Sequence, residues 1–279
     1  MNFADPRNDV AFKKIFGDEN KKEILISFLN NILGFAGTER EIIELTIENP
    51  YQAPKLEGLK TTILDIKVLD KRGIHYIIEM QVLHTEAFEK KVLYYVSKAY
   101  AQQMETGENY PTLNPVIFLG FLNFKLFKEN ENYASRHLIL DEKTNQHLFT
   151  DFELHFIELP KFKKSLEELT DVKDKWIYFV KHAGDMSVIP GEMSEPKEIR
   201  EAFEAANKFT WSKEDLDAYD AKGIYIADER QRIVYAEKMG IEKGEKQKAL
   251  AIAKAMLAEN MPIDTISKIT GLTQAEIQE

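Results

Sequence analysis

The stretch that decides the fold is LDIKVLDKRGIHYIIEMQV, residues 64–82. Two strand-like runs flank Lys71, Arg72 and Gly73. Each keeps polar groups among apolar ones: Asp65 in the first, Glu79 and Gln81 in the second. Gly73 supplies the left-handed residue that a three-residue hairpin loop uses, so Asp70 pairs with Ile74 and, counting outward, Asp65 lies opposite Glu79. Directly opposed residues share a face. One face then shows Ile66, Val68, Tyr76, Ile78, Met80 and Val82 and reads as core. The other shows Asp65, Lys67, His75, Ile77, Glu79 and Gln81 and reads as a site. A two-residue turn would shift the register by one and part the two carboxylates.

Like charges facing each other destabilise a sheet, and burial raises the cost. A divalent cation is the simplest compensation, since Mg²⁺ is commonly held by one or two carboxylates with water and phosphate oxygens completing the shell. Geometry alone also allows an outward, solvated face on which Asp65, Lys67 and Glu79 only keep the hairpin wet.

Around the hairpin, Ile24, Leu25, Phe28, Leu29, Ile32 and Leu33 recur at helical spacing and Gly34 follows as a cap, which predicts a helix over 20–33. Residues 40–49 and 60–83 read as strands, and a helix is expected from about Thr85 to Thr106, stopped by Gly107. PVIFLGFL, SRHLILDE and FELHFIEL read as three more strands. The order predicts a mixed α/β domain over residues 1–165. Beyond LPKFKK the pattern is helical to Glu279, with breaks near Gly184 to Pro190, Gly240 and Pro262, which divides the rest into 166–240 and 241–279.

Hydrophobic and aromatic contents of 44% and 11% belong to a folded globular chain rather than a disordered one. With no cysteine, thiolate nucleophiles, disulfides and cysteine zinc sites are excluded; the six histidines lack zinc-motif pairing. The start, MNFADPRNDVAFKKIFGDE, lacks the basic and apolar regions of a signal peptide, and the run around VIFLGFL is too short for a bilayer, so a cytoplasmic, membrane-free protein is expected. The net charge of −10 argues against coating nucleic acid by bulk attraction. Residues 1–164 carry 21 Lys and Arg against 24 acids, while 165–279 carry 16 against 23, so the first part has room for local basic patches.

Asp65, thirteen residues, then Glu79-Met80-Gln81 resembles the acidic core of the PD-(D/E)XK nuclease superfamily in its Glu-x-Gln form. NDVAFKKIFG, the hairpin, KKVLYYVSKAYAQQMETGENYPTLNPVIFLGFL and FTDFELHFIELPKF together resemble the Rpn family of recombination-promoting nucleases, also described as PD-(D/E)XK family transposases, over about residues 5–165 and more loosely into the tail. The resemblance implies a restriction-endonuclease-like core, a mixed central sheet flanked by helices, with an α-helical C-terminal extension. It implies that Asp65 and Glu79 hold Mg²⁺, with Mn²⁺ as a substitute, and that Gln81 occupies the superfamily's lysine position. A lysine there would orient or help deprotonate the attacking water; an amide carries no charge and is no effective base.

Lys67, on the face of Asp65, is a candidate for the missing positive charge, a solvated strand lysine being the other reading. Asp9 matches the acid that superfamily nucleases bring from an early helix; alternatively Asn8 or Asp9 is an N-cap. Lys13 and Lys14 are candidates for phosphate contacts. Lys91, Tyr94, Tyr95 and Lys98 share one face of the next helix and suit a DNA backbone. Because Phe88, Val92, Tyr95 and Ala99 also form a core stripe, Tyr95 is expected to be buried and Lys91 and Lys98 to be the DNA contacts.

The tail predicts a helix carrying Ala249, Leu250, Ala253 and Leu257, a second starting near Pro262, and a short third in which Thr273 and Glu276 form a capping box. This resembles a helix-turn-helix. Five basic against six acidic groups over 241–279 suit homo-oligomerisation or partner docking at least as well as DNA reading. The expected function is a divalent-metal-dependent DNA endonuclease associated with recombination, transposition or mobile-element defence. The alternative is a catalytically weak DNA-binding or regulatory protein that retains the nuclease fold.

Overall fold

The computed structural model describes residues 1–52, 62–104, 107 and 109–278. In chain order the elements are α1 (Asp9–Phe16), α2 (Lys22–Leu33), β1 (Leu45–Glu48), β2 (Tyr51–Gln52), β3 (Thr62–Ile63), β4 (Ile66–Asp70), β5 (His75–Gln81), α3 (Phe88–Ala101), β6 (Val116–Leu122), β7 (Ala134–Ile139), β8 (Phe149–Glu158), α4 (Val172–His182), α5 (Lys197–Ala206), α6 (Lys213–Ala258), α7 (Ile263–Thr270) and α8 (Gln274–Gln278). The main sheet has the order β1-β4-β5-β6-β8-β7, while β2 and β3 pair separately. Strand β4 runs antiparallel to both β1 and β5, strands β5, β6 and β8 run parallel to one another, and β7 closes the edge antiparallel to β8. The result is the mixed sheet flanked by helices that the resemblance implies.

The loop sets the register of the hairpin. Gly73 has φ +85°, its N–H donates to Asp70 O at 3.0 Å, and Asp70 N–H donates to Ile74 O at 3.0 Å. The Asp70 side chain braces the turn by accepting from the N–H groups of Arg72 (2.8 Å) and Ile74 (3.0 Å). The ladder runs Leu69↔His75, Val68↔Tyr76, Lys67↔Ile77 and Ile66↔Ile78, and the next residues outward are Asp65 and Glu79.

Both faces of the sheet are covered. On one, Ile66, Val68, Tyr76, Ile78 and Met80 pack with Phe12, Phe16 and Phe28 of α1 and α2 and with Trp176, Phe179 and Phe203 of α4 and α5. Phe28 lies 5.2 Å from Phe121 in a stacked pair and 5.5 Å from Trp176 edge-on. On the other, Ile77 joins Phe88, Val92, Val96, Phe118 and Phe156 in a second core. The face read from the sequence as a site is therefore also a core at Ile77, because the crossover that joins parallel β5 and β6 lays α3 across it.

Three boundaries differ from the sequence reading. The strand expected over 40–49 begins only at Leu45, and residues 60 and 61 of the expected 60–83 strand lie outside the described residues. The helix expected over Thr85–Thr106 spans Phe88–Ala101: Ala87 precedes it in the left-handed region at φ 59°, and Gln103 is drawn off its end by exchanging hydrogen bonds with the backbone of Asn114 (2.9 and 2.8 Å). Thr106 lies outside the described residues. Gly240 does not break α6, since one exposed helical glycine costs only about 1 kcal/mol and no proline accompanies it.

The chain divides into two units, Met1–Gly223 and Ile224–Glu279. In the first, α4 and α5 pack against α1 and α2. The second has its own small core of Ala253, Ile266, Leu272 and Ile277. Gly271 at φ 72° caps α7, and Thr273 and Glu276 exchange backbone-to-side-chain hydrogen bonds as the capping box requires. Among the described residues no helix is long and apolar enough to cross a membrane.

Candidate active site

Two carboxylates interlock where the hairpin ladder ends. Asp65 N–H donates to Glu79 Oε1 at 3.0 Å, and Met80 N–H donates to Asp65 Oδ2 at 2.9 Å. Each carboxylate thus caps the backbone of the opposite strand and keeps one oxygen for a cation. Lys13 Nζ of α1 lies 3.3 Å from Asp65 Oδ1, and Lys91 Nζ of α3 lies 3.5 Å from Glu79 Oε2. These contacts are longer than the 2.7–2.9 Å of a tight charge-assisted bond. The lysines partner the carboxylates without saturating them.

Burial pushes both carboxyls above their ordinary values. For Asp65, Lys13 and the Met80 N–H work against the rise and the charge of Asp9 adds to it. Glu79 is driven up to about 7 by burial and then by Asp65, with Lys91 only partly offsetting them. Two acids whose charges burial and proximity both penalise form a donor set that a hard dication would relieve. Among the described residues no group of three or more His, Cys, Asp or Glu is placed to hold a metal, so the fit is to the sparse type in which water and substrate oxygens complete the shell.

The remaining candidates fall in different places. Gln81 stands beside the pair: its Oε1 accepts from Lys91 Nζ at 3.0 Å and its Nε2 donates to Leu83 O at 2.8 Å. Lys67 is drawn the other way, to Glu48 Oε2 at 3.2 Å, an oxygen it shares with His75 Nδ1 at 3.0 Å. Asp9 pairs with Lys222 of α6 at 2.8 Å, while Asn8 is the N-cap of α1, accepting from Val10 N–H. Lys14 pairs with Asp215 at 2.5 Å. Lys98 lies 5.8 Å from the Tyr94 ring, and Lys91 lies 5.2 Å from that of Tyr95. Tyr95 is half-buried rather than buried, packed at the edge of the second core, where burial and the charges of Glu79 and Asp65 push its hydroxyl up to about 12. A cavity of about 510 Å³ opens beside Lys90, Lys91, Tyr94 and Tyr95.

Lys91 is therefore the residue whose place the sequence reading did not foresee. The signal was available: α3 had to cross the face bearing Glu79, and Lys91 is one turn into it.

Comparison with curated proteins and with solved structures gives no match. The family described as PD-(D/E)XK nuclease family transposase matches residues 6–236, and the C-terminal HTH domain of the Rpn/YhgA-like nuclease family matches residues 246–279. With the mixed sheet, the paired carboxylates at the end of its hairpin and two successive matches spanning most of its length, the chain belongs to the Rpn/YhgA-like family of PD-(D/E)XK nuclease-transposases.

Proposed function

We propose that the chain is a divalent-metal-dependent DNA endonuclease, acting in recombination, transposition or defence against mobile elements. The observation that carries this reading is the interlocked, buried Asp65–Glu79 pair with a lysine at each free oxygen. Asp65 and Glu79 would hold Mg²⁺ or Mn²⁺. A bound dication supplies a water of lowered pKa and neutralises charge at the scissile phosphate.

The chain's own groups do the rest. Lys91, held between Glu79 and Gln81, keeps an ammonium where the superfamily pattern has a strand lysine, and its charge opposes the negative charge that develops on phosphorus oxygens in the transition state. Gln81 positions Lys91 and offers no base of its own. Lys13 sits at the mouth of the site, where a DNA phosphate can replace Asp65 as its partner, and Lys98 extends the basic face of α3 along the backbone. Asp9 adds negative charge near Asp65 while bound to Lys222; Lys67 organises Glu48 and His75 beside the site.

A second reading, a DNA-binding or regulatory protein with weak catalysis, is favoured by Gln81 in the lysine position and by the absence, among the described residues, of a third convergent acid. Nicking of supercoiled DNA with Mg²⁺ or Mn²⁺ separates the two. The nuclease reading expects cleavage that Asp65→Asn and Glu79→Gln each reduce at least 100-fold; DNA binding without metal-dependent nicking supports the second. We also propose self-association through the C-terminal helices, where Ile241, Ile252 and Ile269 of the second unit are exposed.

A further inference from the structure

Strand β8 repeats the question raised by β5. Phe152, Leu154 and Phe156 turn to the second core and Ile157 to the first, yet Glu153 and His155, which share the face of Ile157, are buried. This is the face of the sheet opposite Glu79. The Glu153 carboxylate gathers three side chains: Arg40 Nη2 donates to Oε1 at 2.8 Å, Arg136 donates through Nη2 to Oε1 at 3.0 Å and through Nε to Oε2 at 3.1 Å, and His155 Nε2 meets Oε2 at 3.1 Å. Among the described residues the ion pairs of Arg40 and Arg136 run to Glu153 alone.

Beside this cluster lies a cavity of about 230 Å³, lined by Ser135, Arg136, His155 and Lys173 and walled by Ile32 and Ile157. Lys173 is half-buried on α4 and has no ion-pair partner among the described residues; burial pulls its pKa down. Burial likewise lowers the pKa of His155, against the pull of Glu153, so the ring is neutral near pH 7. Arg136 and Lys173 bring two cations to a cavity below the roughly 300 Å³ at which sites for larger ligands begin, with Glu153 shared between Arg40 and Arg136 and with Asp171 and Asp174 acting on Lys173 from its own end of α4. A half-enclosed cation with no carboxylate in direct contact is costly, and guanidinium groups fixed by a buried carboxylate keep their remaining N–H donors oriented.

We propose that this cavity binds a dianionic phosphate group, free or as a phosphate monoester, on Arg136 and Lys173, with Glu153 orienting Arg136 and Arg40. It is a second anion site, apart from the carboxylate pair at the hairpin. It offers a small phosphorylated ligand a place to act on the nuclease-like domain from the far side of its sheet.

The test is calorimetric titration of the full chain in EDTA with orthophosphate, adenosine 5′-monophosphate and adenosine. Saturable one-to-one binding is expected for one or both phosphates and not for adenosine, and the stronger of the two identifies the source. Lys173→Gln should weaken binding at least tenfold and Lys173→Arg should retain it. Lys173→Gln breaks no ion pair among the described residues, and Asp174 keeps Lys164, so its melting temperature should stay close to the parent's, and Glu79→Gln should bind phosphate like the parent. Absence of phosphate binding, binding indifferent to Lys173→Gln, or loss of binding in Glu79→Gln would each overturn the proposal, leaving the Glu153 cluster as a tie between Arg40 and the sheet edge.

Discussion

At Glu79 the requirements of the fold and of the proposed chemistry oppose each other. Burial and Asp65 raise its carboxyl from an ordinary 4.5 to about 7, so the metal-free protein is most comfortable with Glu79 protonated. For an acid raised in the folded state, the favourable contribution is complete below pH 4.5 and disappears as pH climbs through about 7. Glu79→Gln keeps the neutral shape at every pH. In EDTA at pH 8 the variant should melt several degrees above the parent, and at pH 4 the two should nearly coincide; an equal offset at both pH values would mean that titration of Glu79 is not the cause. Gly73 is constrained by conformation instead. At φ +85°, and with an added Cβ only 2.8 Å from Asn114 Oδ1, Gly73→Ala should cost about 1–2 kcal/mol in a denaturant titration.

At the scale of elements, helix α3 brings to β5 a charge that the strand lacks. If Lys91 Nζ between Glu79 and Gln81 acts on the reaction, Lys91→Met should lower the nicking rate about 100-fold while DNA affinity, measured by anisotropy, changes little. Adding Gln81→Lys in that background returns an ammonium to the same place from the strand and should recover much of the rate. A lysine that serves only to grip the backbone would instead show a weaker Kd, less steep salt dependence and no rescue. Packing between elements rests on the aromatic cluster of α2, β6 and α4. Phe28 is fully buried among Phe16, Phe121 and Trp176, so Phe28→Ala should lose about 3–5 kcal/mol, read from the shift in denaturation midpoint at constant m.

For the whole molecule, the informative cut is after Gly240. The core formed by α1, α2, α4, α5 and the sheet lies within Met1–Gly223, while the helices matched by the HTH domain have a separate small core. Chains ending at Gly240 should keep their nicking rate per active site and contain fewer protomers per particle by light scattering. An unchanged protomer number together with lost sequence preference would assign the tail to DNA reading.

Much was legible locally. The left-handed glycine after Lys71-Arg72, the alternation of β4 and β5, and the spacing from Asp65 to Glu79 are short-range properties, and each is set by steric rules that act over a few residues. They are why the hairpin register, the mixed α/β class and the family resemblance could be read from the chain. Capping chemistry at Gly34 and Thr273 was legible for the same reason. What tertiary structure alone decided is which charge meets which. Lys67 lies on the face of Asp65 yet goes to Glu48, because β1 pairs beside it; Asp9 goes to Lys222, from an element more than two hundred residues away in sequence; and Lys91 reaches Glu79 because the β5–β6 crossover lays α3 over that face. Local sequence patterns set where a side chain leaves the backbone, but an ion pair forms with whatever the packing of distant elements brings within a few ångströms, and that distance is a property of the folded chain.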